Sequence, residues 1–235
     1  MTELAYQTDS YSRDFEATVT KAVSDEGAVV LDRTFFYPGG GGQPGDFGLL
    51  DGRPVTKVRK AGEDVLHVLE GELPAVGARV QGAIDWERRH KLMRTHTAMH
   101  VLCGTVFRDY GALVTGGDME PLKGRMDFEF ERLQKDLVHV IEEAVNAEVR
   151  AAREVRVQIL PRDEAFLIPD LIRTKINLLP EGIERVRTVN IVGLDLQADG
   201  GTHVHNTSEV GRIRVVDYKS KGASNKRIYI EVNDA

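Results

Sequence analysis

Two histidines four residues apart are the first side chains whose spacing suggests chemistry. His96 and His100 lie in a segment, residues 85–110, whose apolar residues recur at helical spacing. On a helix their rings project from the same face one turn apart, so both imidazoles can bind one ion. Imidazole is a common zinc ligand. The same spacing is equally typical of two half-buried core histidines, and the pair alone does not decide between these interpretations.

A second cluster of potential ligands lies much further along the chain, in the stretch Asp199-Gly-Gly-Thr-His203. It offers a third imidazole and a carboxylate, and its glycines let the loop fold tightly against an ion. Three nitrogens with an oxygen, or with a water molecule, complete a tetrahedral site of the catalytic type. The candidate metal ligands are therefore His96, His100, His203 and Asp199.

The densest run of glycines is Tyr37-Pro-Gly-Gly-Gly-Gly-Gln-Pro-Gly45. Glycine permits positive φ and a close approach of the backbone to another group. Gly40, Gly41 and Gly42 are therefore candidate substrate-binding residues, and Gln43 can add its side-chain amide. A tight hairpin without a ligand is the alternative interpretation.

The elements that must position these residues divide the chain into two parts. From residue 15 to about residue 80, short β segments alternate with turns, for example at 27–31 and 64–70. Helices are predicted at 85–110 and, with one apolar stripe, at 133–155. Strands mixed with two long helices, without strict βαβ alternation, favour an α+β class for the second half. Further strands are predicted at 125–130, 185–192, 211–216 and 227–232.

Composition limits the functional classes. The 235 residues are 41% hydrophobic and 29% charged, which fits two modest globular domains. No apolar run approaches the roughly 20 residues of a membrane helix, so we expect no membrane partner. The single cysteine, Cys103, agrees with a cytoplasmic location, and on an apolar helix face we interpret it as a packing residue. A net charge of −6 argues against indiscriminate nucleic-acid binding.

Three motifs resemble one protein family. Two stretches of this chain are similar to the editing domain of alanyl-tRNA synthetase and to its freestanding relatives, the AlaX proteins. These stretches are Arg94-Thr-His-Thr-Ala-Met-His-Val-Leu102 and Asp199-Gly-Gly-Thr-His-Val-His-Asn-Thr-Ser-Glu-Val-Gly211. Their N-terminal glycine-rich motif resembles Arg33-Thr-Phe-Phe-Tyr-Pro-Gly-Gly-Gly-Gly-Gln-Pro-Gly-Asp46. The three motifs occur in the family's order and cover most of the chain.

The resemblance implies a fold and a cofactor. It implies an N-terminal β-barrel-like domain, placed at 1–87, and a two-layer α+β editing domain of the threonyl/alanyl-tRNA synthetase type, placed at 88–235. It also implies Zn2+, held by histidines that match His96, His100 and His203. Many family members carry cysteine at the position of Asp199. Since a carboxylate is a harder ligand than a thiolate, Asp199, water or the substrate fills the fourth position.

The activity that the resemblance implies is hydrolysis, in trans, of the ester bond of mischarged tRNA(Ala). Ser-tRNA(Ala) is the chief expected substrate and Gly-tRNA(Ala) a second one, and the expected contact is with the acceptor end. No nucleotide cofactor is expected, and the sequence indicates no oligomeric state. Two other functions stay open, namely a small-molecule metallohydrolase and a catalytically silent tRNA-binding module on the same fold.

Further residues are candidates for a role in substrate binding or catalysis. The matching glutamine places Gln43 in the editing pocket, and we expect it beside the metal, contributed across the domain interface. Thr34 and Thr97 are candidates for recognising a serine hydroxyl, although buried threonines are often structural. Arg125 and Lys221 are candidate substrate-binding residues. Other basic residues fit tRNA phosphate contacts and solvated surface charge equally well. These are Arg88, Arg89, Lys91, Arg94, Lys219, Lys226 and Arg227.

Overall fold

The computed structural model describes residues 1–130, 134–175, 179 and 182–234. The chain divides into two compact units, an N-terminal unit, Met1–Lys91, and a C-terminal unit, Leu92–Ala235. Sheets built mostly from antiparallel pairs occur together with separate helices, which confirms the predicted α+β class. Within the described ranges, no helix is both long and apolar enough to cross a membrane.

The N-terminal unit consists mainly of strands. They are β1 (Glu3–Leu4), β2 (Asp14–Val23), β3 (Ala28–Leu31), β4 (Arg33–Thr34), β5 (Gly48–Leu50), β6 (Arg53–Ala61), β7 (Asp64–Leu69) and β8 (Arg79–Ile84). Six of them pair in a closed ring with the order β2-β3-β7-β6-β5-β8. Because side chains alternate along a strand, Phe15, Ala17 and Val19 of β2 all point into the apolar interior. The strands predicted near 27–31 and 64–70 are confirmed as β3 and β7.

The C-terminal unit contains most of the long helix α1 (Trp86–Tyr110), which was predicted at 85–110. The elements that follow are β9 (Val114–Glu120), β10 (Lys123–Glu129), α2 (Lys135–Arg150), β11 (Val155–Pro161), α3 (Arg162–Ala165), β12 (Arg185–Ile191), β13 (Asp195–Ala198), β14 (Arg212–Ser220) and β15 (Asn225–Asn233). One sheet has the order β14-β15-β10-β9 and another the order β11-β12-β13. The predicted strands in this half are confirmed as β10, β12, β14 and β15.

Helix α1 packs directly on the four-stranded sheet. A Cβ atom added to Gly117 of β9 would lie 3.2 Å from Met99 Cε, and one added to Gly124 of β10 would lie 3.0 Å from Met99 Sδ. Glycine at both positions therefore leaves room for the methionine and for a close approach of the helix. Because Met99 lies between His96 and His100, this contact fixes the turn that carries both histidines.

The second predicted helix is shorter than expected. Leu133 lies outside the described residues, and α2 ends at Arg150 instead of continuing to Val155. Ala152 has a φ of 49°, which is incompatible with right-handed helical geometry. Val155 then begins β11 and pairs with Ile191. The prediction was wrong at this end because an apolar valine fits the stripe of a helix and the face of a strand equally well.

Candidate metal centre

One helix and one loop bring the four predicted metal ligands together. His96 and His100 lie one turn apart on α1, and Asp199 and His203 lie in the loop after β13. The Asp199 N–H donates to the Arg187 carbonyl of β12 at 3.1 Å, which holds the start of this loop against the three-stranded sheet. One potential ligand atom from each of the four residues lies within 4.8 Å of the other three.

The Asp199 carboxylate faces all three imidazoles. Its Oδ1 lies 3.4 Å from His96 Nε2 and 3.9 Å from His100 Nε2, and its Oδ2 lies 3.0 Å from His203 Nε2. The three histidine side chains are buried. Three converging Nε2 atoms and one carboxylate oxygen form a donor set that suits zinc and other divalent transition metals.

In two of the three histidine rings, the other nitrogen, Nδ1, lies close to a polar side chain of the protein. His100 Nδ1 lies 3.0 Å from Asp195 Oδ2, and His203 Nδ1 lies 3.2 Å from Thr97 Oγ1. When Nδ1 carries the proton and donates it to such a partner, the lone pair lies on Nε2, as in metal-ligating histidines. The side chains present therefore fit a bound metal ion.

Two groups of the protein hold Asp199. The Gly201 N–H donates to Oδ2 at 2.7 Å. Arg187 Nη1 donates to the Asp199 carbonyl at 2.8 Å and lies 3.5 Å from Oδ2. Since a carboxylate is costly to bury without a cation or hydrogen bonds, these contacts stabilise its charged form. They also leave Oδ1 as the oxygen that faces His96 and His100.

Burial and neighbouring charges shift the pKa values of these groups in different directions. Burial lowers the pKa of His203 to about 4 and that of His96 well below its ordinary value. Burial also opposes the charged form of His100, but hydrogen bonds to Asp195 and Asp199 outweigh it and raise the pKa to about 9. For Asp199, burial alone would raise the pKa, but interactions with the three histidines lower it well below its ordinary value.

Comparison with known proteins identifies the family. Residues 186–229 match the threonyl and alanyl tRNA synthetase second additional domain, and residues 3–88 match the class II (A) tRNA synthetases. The alanyl-tRNA editing protein AlaX-M of Saccharolobus solfataricus is 39% identical over 99% of both chains. The protein of the same name from Methanosarcina barkeri is 38% identical over the full length of both. The chain belongs to the AlaX-M family.

The AlaX-M assignment confirms the resemblance read from the motifs. Similarity extends to the alanine–tRNA ligase of Pyrobaculum neutrophilum, which is 38% identical over 91% of this chain but only 25% of that enzyme. The match at 186–229 includes two of the four potential metal ligands, Asp199 and His203, and also Arg187 and Asp195.

The glycine-rich motif of this AlaX-M chain forms a tight hairpin. Gly40 and Gln43 exchange two backbone hydrogen bonds of 3.0 and 2.9 Å. Between them, Gly41 and Gly42 have φ values of 57° and 89°, which favour glycine. The Tyr37 hydroxyl donates to the Gly40 carbonyl at 2.9 Å. The substrate-binding role of the three glycines and the catalytic role of Gln43 stay predictions.

Both threonines with predicted substrate roles contact a histidine of their own unit. Thr34 Oγ1 lies 2.8 Å from His67 Nε2. Thr97 Oγ1 contacts His203 and also accepts the Val204 N–H at 3.2 Å. Both side chains are buried. Each hydroxyl therefore has a structural role, and recognition of a serine hydroxyl stays a prediction.

Three of the basic residues fit neither a phosphate contact nor solvated surface charge. Arg89 is fully buried and pairs with Asp46. Arg94 Nε donates to the Val210 carbonyl at 2.9 Å. Lys226 is buried, and its Nζ donates to the Gly222 carbonyl at 2.7 Å. The contacts of these three residues stabilise the fold. Their position in a run of charges did not predict this role.

Three further basic candidates differ in their contacts. Arg227 donates to both carboxylate oxygens of Asp127, at 2.6 and 2.7 Å. Arg125 of β10 lies 3.4 Å from Asp118 of the neighbouring strand β9. Lys221 is exposed at the hairpin between β14 and β15. The roles of Arg125 and Lys221 in substrate binding stay predictions.

Two charged residues near the potential metal ligands were not predicted from the sequence. Arg187 lies in a β12 segment with alternating polar residues, and Asp195 lies four residues before Asp199. They reach the site only because β12 and β13 pair, with Thr188 opposite Ala198. The packing interpretation of Cys103 agrees with its burial, which raises the pKa of its thiol well above the ordinary value.

Proposed function

We propose that this chain is a trans-editing deacylase that hydrolyses the ester bond of mischarged tRNA(Ala). Ser-tRNA(Ala) is its main substrate and Gly-tRNA(Ala) a second one, and the contact is with the acceptor end, which carries the ester. The observation that carries the proposal is the convergence of three imidazoles and a carboxylate in a chain of the AlaX-M family. Relatives over the full chain are named alanyl-tRNA editing proteins, and we extend that activity to this chain.

We propose zinc as the metal, with His96, His100 and His203 as nitrogen ligands and Asp199 as the fourth ligand. Oδ1 of Asp199 faces the Nε2 atoms of His96 and His100, whereas Oδ2 accepts the Gly201 N–H. A zinc ion bound there would polarise the ester carbonyl or lower the pKa of a water molecule toward about 7. Because an aminoacyl ester is intrinsically labile, the proposal includes no covalent nucleophile.

Other steps are assigned to groups of the protein in this proposal. The amide of Gln43, which can both donate and accept hydrogen bonds, orients the aminoacyl ester. The backbone of Gly40, Gly41 and Gly42 binds the substrate. Thr34 and Thr97 recognise the serine hydroxyl. Arg125 and Lys221 bind the tRNA, since Lys and Arg neutralise phosphates.

A panel of charged tRNAs tests this function. Purified protein is incubated with Ser-tRNA(Ala), Gly-tRNA(Ala) and Ala-tRNA(Ala), and the remaining ester is measured over time. The proposal expects rapid loss of the seryl ester, slower loss of the glycyl ester and little loss of the alanyl ester. Equal cleavage of free seryl esters would instead identify a small-molecule metallohydrolase. Binding of tRNA without any ester cleavage would identify a silent binding module.

A further inference from the structure

A buried carboxylate lies behind one of the proposed metal ligands. Asp195, the first residue of β13, has a fully buried side chain whose Oδ2 is 3.0 Å from His100 Nδ1. The same oxygen accepts the side-chain amide of Gln197 at 2.6 Å. On the other side of the ring, His100 Nε2 faces Asp199. His100 is thus held between two carboxylates, one on each nitrogen.

The position of Asp195 depends on a glycine of helix α1. Gly104 lies one turn after His100, and a Cβ atom there would meet Asp195 Cβ at 2.8 Å and Leu194 Cγ at 3.0 Å. The first distance is shorter than real Cβ contacts and the second is unusually short, so another residue at position 104 would displace the start of β13. The absence of a side chain at Gly104 therefore allows Asp195 to reach His100.

A cation lies beside the second oxygen of Asp195. Arg173 Nε is 3.6 Å from Asp195 Oδ1, and the guanidinium lies 3.7 Å from the centre of the Phe107 ring. Within the described ranges, neither of these two polar atoms has a hydrogen-bond partner. A buried carboxylate is stabilised in its charged form by such a cation. Arg173 therefore places a positive charge beside the Asp195 oxygen that does not contact the His100 ring.

We propose that Asp195 is a positioning residue which, with Gln197 and Arg173, fixes the ring orientation and the tautomer of His100. The Nδ1–H of His100 donates to Asp195, and the lone pair of Nε2 therefore points toward His96, His203 and Asp199. This inference rests on the proposed metal function. Outer partners of this kind typically contribute about 10- to 100-fold to metal affinity.

Replacing Asp195 by asparagine tests the inference by a measurement other than activity. The zinc dissociation constant of Asp195→Asn is compared with that of the wild-type protein by competition with a chelating indicator. We expect affinity to fall by about 10- to 100-fold, because the asparagine amide can donate to Nδ1 and favour the wrong tautomer. Asp127→Asn is the matched control, since this carboxylate pairs with Arg227 and lies outside the potential metal group.

The possible results separate this inference from the proposed function. A wild-type protein that binds no zinc would overturn the metal function and this inference with it. If the wild-type protein binds zinc, equal affinity in Asp195→Asn would overturn the inference alone.

A second measurement does not depend on the folding of a variant. Nitrogen NMR of histidine-labelled, zinc-loaded wild-type protein should place the proton of His100 on Nδ1. Finding that proton on Nε2 would also overturn the inference.

Discussion

Arg89 and Asp46 form a buried ion pair at the base of the glycine-rich hairpin. Arg89 Nε lies 2.9 and 3.0 Å from the two carboxylate oxygens of Asp46. Asp46 Oδ2 also accepts the Tyr37 N–H at 2.6 Å, and the Asp46 N–H donates to the Tyr37 carbonyl at 2.9 Å. Because Tyr37 and Asp46 enclose the hairpin in the sequence, the loop that carries Gln43 has a rigid base.

Gln43→Ala should keep its zinc and lose catalysis or selectivity. The substitution removes an oriented amide, and loss of one such hydrogen bond at a reacting ester costs on the order of a hundredfold in rate. Bound zinc and the initial rate on Ser-tRNA(Ala) are measured together, and Gln81→Ala, which changes an exposed amide of the same unit, is the control. Wild-type rates with unchanged rejection of Ala-tRNA(Ala) would reduce this loop to a structural hairpin.

Removing any one of the three imidazoles should remove most of the bound zinc and most of the deacylase activity. His96→Ala, His100→Ala and His203→Ala each delete a proposed nitrogen ligand. The loss should exceed the roughly 10- to 100-fold that an outer partner contributes. His139→Ala, at an exposed position of α2, should retain full occupancy. The metal content of each variant is measured by elemental analysis. Full zinc occupancy in one variant would show that its histidine is not a ligand.

Asp199 should tolerate substitution better than the histidines. In Asp199→Ala a water molecule can take the fourth position, so zinc affinity should fall by less than in His203→Ala. In Asp199→Cys a thiolate replaces the carboxylate and should retain or tighten zinc, since thiolate is the softer ligand. Zinc dissociation constants of the variants provide the comparison. Loss of metal from the cysteine variant would show that the family resemblance does not hold at this position.

Zinc binding should release about one proton per ion near pH 7. Without metal, His100 is protonated at this pH because its pKa is about 9, whereas His203, with a pKa of about 4, is already neutral. The release should therefore persist up to about pH 8 and disappear as pH rises through 9. Calorimetry in buffers of different ionisation enthalpy measures it, with His139→Gln as a control that keeps the same value. A binding heat that is independent of the buffer would contradict a protonated His100.

The sequence predicted which four potential metal ligands lie together, but not the residues that surround them. The i, i+4 spacing of His96 and His100 places both rings on one face of a helix, and Asp199 and His203 lie close together in the sequence. Neither pattern depends on tertiary contacts. Asp195 and Arg187 act through the pairing of β12 with β13, which no local pattern shows. The same limit explains the basic residues, since only tertiary packing distinguishes the buried Arg89 from the exposed Lys221.

For the secondary structure, too, local patterns were predicted and features that depend on tertiary contacts were not. The strand at 125–130 and the helix at 85–110 were predicted correctly, because the spacing of apolar residues is a local signal. The end of α2 depended on the positive φ of Ala152 and on the pairing of Val155, neither of which follows from hydrophobicity.

Zinc-dependent deacylation is tested most directly by the release of serine from Ser-tRNA(Ala) before and after removal of the metal. Protein is treated with a chelator, dialysed and assayed, and one equivalent of zinc per chain is then returned. We expect chelation to abolish the release of serine and added zinc to restore it, while Ala-tRNA(Ala) stays largely intact throughout. Undiminished release of serine by a fully metal-free protein would contradict this expectation.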